Sequence, residues 1–279
     1  MSKLKKALEK AKEERQGDVS IFDNIAESVF KENAVSGVQA QQEGEVRVTY
    51  TKTRIINVDH RILKQNKVIS LFHEEKMTDQ LKILRTQLLD RLEQIGGNSL
   101  LVTSANPGEG KTFTAVNLAI SIAQELDRTV LLVDADLRPH SAHHKDFARD
   151  FLGANVSRGL ADCLLSGAEI PELLFNPGIG KLTILPSGRP LTNSAELLGS
   201  SRMEAMASEI KARYSGDRII IFDSPAILTC SDPMVLSRYA DGILLVVEAE
   251  KTSADDLKRA MDLLKDRPVL GTLLNKAKQ

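Results

Sequence analysis

The stretch Leu100-Leu-Val-Thr-Ser-Ala-Asn-Pro-Gly-Glu-Gly-Lys-Thr112 decides how this chain is read. Leu100–Thr103 is a short apolar strand. A glycine-bearing turn follows, and Lys111-Thr112 opens a segment, Thr114–Leu126, with helical spacing. Strand, glycine loop and helix in that order make a phosphate cradle. Backbone N–H groups converge on phosphate oxygens only where no side chain intervenes, and Gly108 and Gly110 leave that access. The helix start adds unpaired N–H groups and the positive end of its dipole. Lys111 is placed to reach the β- and γ-phosphates, and the Thr112 hydroxyl to ligate Mg2+. The first position of such a loop, usually glycine, is Ala105 here.

Two further stretches support the same reading. Val130-Leu-Leu-Val-Asp-Ala-Asp-Leu-Arg138 is an apolar strand closed by Asp134 and Asp136, and Ile219-Ile-Ile-Phe-Asp223 is another closed by an acid. Strand ends fall on the carboxyl edge of a parallel sheet, where such folds bind ligands. One aspartate closing a strand is ordinarily a turn or cap residue. Three on two strand ends, beside a phosphate loop, point to a metal–nucleotide site in which Asp223 holds Mg2+, directly or through water. Clustered carboxylates would otherwise repel one another and take up protons. Apolar runs recur at Leu182–Leu185, Ile243–Val247 and Val269–Leu274, with helical spacing in Ser201–Tyr214 and Ser253–Leu264. Such runs suit strands buried on both faces. Their alternation with helices predicts an α/β fold, a mostly parallel P-loop-type sheet with helices on both faces. Another helix is expected from Thr78, with Leu81, Leu84, Leu88, Leu92 and Ile95 on one face, ending at Gly96-Gly97.

The 279 residues are long enough to bury a core without disulfide or metal staples. Lys and Arg total 37 against 38 Asp and Glu. That balance argues against a nucleic-acid partner bound as a bulk polyanion and leaves room for a local phosphate site. With no Trp, 3 Tyr and 8 Phe, a base-stacking platform is not expected. Cys163 and Cys230 have neither a disulfide framework nor metal-ligand spacing and read as small buried apolar residues in a reducing cytoplasm. The longest strictly apolar run, Ile243–Val247, is far short of the ~18 residues of a membrane span. Residues 1–75 read as an N-terminal extension and 76–279 as the nucleotide domain. In the extension, Ser2–Arg15 is a basic helix, either solvated or docked on a membrane surface or partner. Gly17–Gly44 is linker-like, and Val46, Val48 and Tyr50 alternate as in a half-exposed strand. The extension as a whole suits a segment that orders on binding.

These motifs resemble the Walker A, A′ and B motifs of bacterial tyrosine kinases, P-loop kinases of exopolysaccharide export systems. The resemblance covers residues 76–279 and includes Gly159-Leu-Ala-Asp162, the stretch from Leu185 to Leu198 and Asn275. The extension, with Tyr50-Thr-Lys-Thr-Arg54, looks most like the autokinase subgroup of exosortase loci. The resemblance implies ATP and Mg2+ as cofactors. It implies a nucleotide site of Asn106, Pro107, Gly108, Glu109, Gly110, Lys111, Thr112, Phe113 and Asn275, with Lys111, Asp134, Asp136 and Asp223 as catalytic residues. Thr112, Asp136 and Asp223 would be the metal ligands, and Asp134 the base that takes the tyrosine proton. Asn275 matches the position that reads adenine in related ATPases; a turn or helix cap is the other reading. The implied partner is a membrane-spanning chain-length determinant protein, which would recruit a cytoplasmic kinase to the inner face of the plasma membrane.

Two features depart from the family. The chain ends Leu273-Leu-Asn-Lys-Ala-Lys-Gln279, without the family's run of acceptor tyrosines. The acceptor is then Tyr50, Tyr214 or Tyr239, or lies on another protein. The family's acid-x-x-Arg-x-x-Arg subunit-contact motif reads Asp79, Lys82, Arg85 here. Homo-oligomers would form through that helix, with a lysine that lacks the planar fork of arginine. Ordinary surface charge is the alternative. A positioning or partitioning ATPase of the same branch is the competing function, but its signature cross-dimer lysine is Asn106 here, a neutral residue. A non-catalytic nucleotide-sensing subunit is the third reading.

Overall fold

The computed structural model describes residues 53–71, 76–139, 147–213 and 218–278. The helix expected at 2–15, the strand expected near Val46–Tyr50, and both Tyr50 and Tyr214 lie outside these residues. The strands are β1 Arg54–Ile55, β2 Ser99–Ser104, β3 Thr129–Asp134, β4 Phe175–Asn176, β5 Leu182–Leu185, β6 Arg218–Ala226, β7 Gly242–Glu248 and β8 Val269–Asn275. The helices are α1 His60–Gln65, α2 Lys76–Gln94, α3 Lys111–Ala123, α4 Leu160–Ser166, α5 Ile170–Leu173, α6 Ser194–Leu198, α7 Ser201–Arg213, α8 Asp232–Leu236 and α9 Ala254–Leu263.

The strands form one sheet in the order β1-β4-β5-β3-β6-β2-β7-β8. Every pairing is parallel except β4 with β5. The six apolar runs of the sequence are its six longest strands. β2 and β3 are buried along their whole length, as strands covered on both faces must be. One face packs Leu100, Val102, Leu132 and Ile221 against Leu118 and Ile122 of α3. The other packs Leu101, Leu131 and Ile220 against Met203, Met206 and Ile210 of α7. Truncating any one of these large side chains to alanine costs about 2–5 kcal/mol.

Residues 54–71 belong to this core, although they precede the boundary expected at 76. β1 pairs with β4, and Val58, Leu63 and Val68 are buried against the α3 side. Asp59 caps α1 by accepting from Arg61 N at 2.8 Å. Asn117, buried on α3, ties the stretch down. Its Oδ1 accepts from Ser70 N at 3.0 Å, its carbonyl accepts from Ser70 Oγ at 2.7 Å, and its Nδ2 donates to Lys67 O at 3.1 Å. Periodicity misses this stretch because distant polar side chains, Asn117 and Gln124, fix it rather than a repeating apolar face.

The charges on α2 have partners within the chain. Asp79 and Lys82 pair with each other at 3.3 Å. Arg85 Nη1 donates to Ser121 O at 2.8 Å and Arg85 Nε lies 3.0 Å from Glu125 Oε1. Arg85 is therefore committed to the end of α3.

Asp241, at the start of β7, accepts from Asn98 N (3.0 Å), Ser99 Oγ (2.6 Å) and Lys211 Nζ (2.8 Å). Burial raises its carboxyl, but Lys211, Ser99 and Asn98 outweigh it and hold the group below the usual aspartate range. A depressed acid stabilises the fold above its unfolded pKa, and that stability is lost as pH falls through the folded one. Asp241→Asn is therefore expected to lower the melting temperature at pH 7 and to lose part of the drop seen below about pH 4 in the wild type. Melting curves from pH 2 to 8 check this; an unchanged acid limb would contradict it.

Candidate active site

β2 delivers the buried Ser104 and Ala105 to the loop between β2 and α3. Ser104 Oγ donates to Asn106 O at 2.8 Å. Glu109, expected to line the nucleotide, is 1% exposed and turned inward. It accepts from Asn106 N at 2.9 Å and from the Thr252 hydroxyl. Its side chain braces the loop, leaving only its backbone to face a ligand. Asn106 Nδ2 also donates to Asp256 Oδ2 at 3.2 Å, fastening the loop to the first turn of α9.

Gly110 is the N-cap of α3 with φ +100°, a left-handed conformation natural to glycine. Its carbonyl accepts from Thr114 N and Thr114 Oγ1, both at 2.9 Å. Lys111 and Thr112 follow on the first helical turn, partly exposed. From the end of β8, Asn275 Nδ2 donates to Glu109 O at 2.8 Å and Lys276 Nζ to Gly108 O at 2.7 Å. The Asn275 amide, expected at adenine or in a cap, thus supports the phosphate loop. Lys276 also bonds Glu248 Oε2 at 3.0 Å, and with Lys251 it holds that carboxylate below the usual glutamate range.

Asp134 is the last residue of β3 and Asp136 lies two residues beyond it, while Asp223, expected to close its strand, sits within β6, which continues to Ala226. Asp134 and Asp223 are register partners across β3 and β6, and Asp223 is level with Val102 of β2. All three carboxylates are at most 3% exposed. Ala135 N donates to Asp223 O at 2.9 Å, and Asp136 N to Asp134 Oδ1 at 3.3 Å. Asp136 is gripped by Arg138 through two bonds, Nε to Oδ1 at 3.0 Å and Nη2 to Oδ2 at 3.1 Å. Beyond Arg138 lie Cys230 and Asp232. Burial pushes the Asp232 carboxyl up, against the pull of the Ser194 hydroxyl and the Arg138 guanidinium. Burial also raises the Cys230 and Cys163 thiols. Both cysteines are free and only half-buried, more exposed than expected.

Among the described residues no three His, Cys, Asp or Glu side chains form a ready-made metal cage. Mg2+ keeps several waters and is bound by one or two carboxylates together with phosphate oxygens. The donor set here suits it: the Thr112 hydroxyl and aspartates on two neighbouring strands, all hard oxygens. The phosphate cradle fits as well. A Cβ at Gly108 would meet nothing within 4 Å, so the loop there is open to a ligand.

The sequence reading missed Thr252, Asp256, Lys276, Asp232 and the grip of Arg138 on Asp136. Thr252, Asp256, Lys276 and Asp232 belong to none of the quoted motifs, whereas Arg138 closes the Val130–Arg138 stretch and grips Asp136 two residues back. It did single out Gly159-Leu-Ala-Asp162 and the stretch from Leu185. The fold joins them, with Leu160 N donating to Pro186 O at 2.8 Å and Ala161 N to Ser187 O at 2.9 Å.

Comparison with known proteins agrees with this geometry. Residues 99–268 match a family model described as an AAA domain. The tyrosine-protein kinase YwqD of Bacillus subtilis (strain 168) is 33% identical over 214 residues, 76% of this chain and 86% of that protein. The tyrosine-protein kinase wzc of Salmonella typhimurium is 28% identical over 215 residues; the match covers 76% of this chain but only 28% of that protein. The kinase domain of Escherichia coli tyrosine kinase ETK superposes with a TM-score of 0.67, covering 87% of this chain and 98% of that domain, at 24% identity, which speaks for the fold. A phosphate loop at the centre of a mostly parallel sheet, with aspartates on the two neighbouring strands β6 and β3, places the chain among the P-loop ATPases of the AAA-domain family, and with them it belongs to the bacterial tyrosine-protein kinases.

Proposed function

We propose that the protein is an ATP-dependent protein-tyrosine kinase that regulates exopolysaccharide polymerisation and export. The observation that carries this is the register match of Asp134 with Asp223 one strand away from the phosphate loop. It puts a proton acceptor and a metal-holding carboxylate side by side. Lys111, Thr112 and the backbone of Asn106–Phe113 bind the triphosphate. Asp223 and Asp136, with Thr112, would hold Mg2+, which would screen the phosphate charges. Asp134 orients the tyrosine hydroxyl and takes its proton. The new bond joins the tyrosine oxygen to the γ-phosphorus, the bond from that phosphorus to the β–γ bridging oxygen breaks, and ADP leaves. The enzyme's contribution is positioning and charge stabilisation.

No described helix is long and apolar enough to cross a membrane. Recruitment to the inner membrane face by a chain-length determinant protein, through the part of the N-terminal extension that precedes residue 54, is part of the same proposal. With Asp79, Lys82 and Arg85 paired internally, self-association through α2 would rest on its exposed Met77 and Ile83.

Incubation with labelled ATP and Mg2+, followed by phosphosite mapping, tests the reading. Phosphotyrosine is expected; free phosphate alone would indicate an ATPase, and neither a nucleotide sensor. Tyr239 is expected to stay unmodified in the folded protein. Its hydroxyl donates to Leu198 O at 2.9 Å and its ring packs with the core, so Tyr239→Phe should cost about 1 kcal/mol of stability and no phosphorylation.

A further inference from the structure

Two buried carboxylates compete for one guanidinium beside the active site. Asp136 is 3% exposed and takes the whole fork of Arg138. Asp232, at the start of α8, is 2% exposed, and its Oδ2 accepts no hydrogen bond from the protein. It lies within electrostatic reach of Arg138 and of Asp136. Arg138 itself is about a third exposed, with a side-chain accessibility of 31%, so it has room to turn. A buried carboxylate left unpaired is expensive. A carboxylate locked in a bidentate arginine pair is equally expensive to free for another task, because breaking such a pair strands a charge.

Resting on the metal–nucleotide reading above, we infer that Arg138 is passed between these carboxylates: it holds Asp136 until Mg2+–nucleotide arrives and is then taken over by Asp232. The exchange conserves charge pairing. When Asp136 turns to the metal, its charge is matched there. The guanidinium, repelled by the divalent cation, moves to Asp232, whose Oδ2 accepts no hydrogen bond. Asp232 is thus a positioning residue. It touches neither nucleotide nor metal, and it lowers the cost of releasing Asp136.

The test measures ADP affinity of the full-length protein by calorimetry, with Mg2+ and with Mg2+ replaced by EDTA. In the wild type, Mg2+ is expected to tighten binding; a Mg2+-independent affinity overturns both this inference and the site assignment beneath it. Asp232→Asn keeps shape and removes the charge. It is expected to shrink the Mg2+-dependent gain by about tenfold, as supporting residues around metal ligands commonly do. Its affinity in EDTA and its melting temperature without nucleotide should not fall. Equal losses with and without Mg2+, or no loss, overturn the inference while leaving the site assignment intact. The second variant, Arg138→Met, has no ion pair to break and should keep the Mg2+ gain. Adding Asp232→Asn to it should then cost less than about twofold, since coupled residues are non-additive. A full tenfold loss in that background would show that Asp232 does not act through Arg138.

Discussion

Replacing Lys111 with alanine is expected to slow tyrosine phosphorylation by at least ~10²-fold, the scale seen when one preorganised charge-stabilising group is removed. Lys111 is the first residue of α3, directly after the left-handed Gly110. Its ammonium adds a full charge where the backbone offers only N–H dipoles. The transferring phosphoryl group spreads charge over its oxygens, so a group aimed there acts mostly in the transition state. The loss should therefore fall mainly on kcat, with a smaller change in nucleotide affinity. Radiolabel transfer and ADP titration on the same preparation separate the two. Near-normal phosphorylation by the variant would end the role given to Lys111. Lys111→Arg should not restore the rate, because a planar fork cannot replace a compact ammonium in a tight loop.

The second large effect is expected from Gly110→Ala. A Cβ at this position would stand 2.1 Å from Asn275 Nδ2, and the φ of +100° is costly for any residue with a side chain. The global fold should survive, since the loop is at the edge of the core, with a stability loss of about 1–3 kcal/mol. Nucleotide binding should fall by at least ~10²-fold. The methyl would push the Asn275 amide off Glu109 O, and both supports of the loop from β8 depend on that strand end keeping its place. Shortening the obstructing side chain, in Gly110→Ala with Asn275→Ala, should recover part of the affinity. Full affinity in the single variant would show that the loop carries the clash without consequence.

Much of this architecture is legible in the sequence because it follows from local chemistry. The six apolar runs became strands, and all but one are covered on both faces; the exception is β8, at the sheet's edge, which stays partly exposed against the expectation. Gly96 with φ +65° stops α2 where the glycine pair says it should. Asp134 closes β3 as its apolar run suggests, whereas β6 continues three residues past Asp223 to Ala226, so that acid is carried within its strand rather than at its tip. β1 and β4 escape notice, each being two residues long with no periodicity to read. The inward turn of Glu109 is hidden for another reason. A glutamate in a polar loop looks exposed until Thr252, 143 residues away, supplies its hydroxyl. Arg85 shows the reverse error: the spacing of α2 suggests an outward contact, and Glu125 on the following turn claims the guanidinium first.

The bonds that tie the phosphate loop to the C-terminal part of the chain span 143 to 168 residues of sequence. Closing such separations is entropically slow and follows collapse of the parts between them. During refolding, then, helical signal should return well before the chain regains its grip on a fluorescent nucleotide. A bound nucleotide would report the final step of maturation rather than the formation of the sheet.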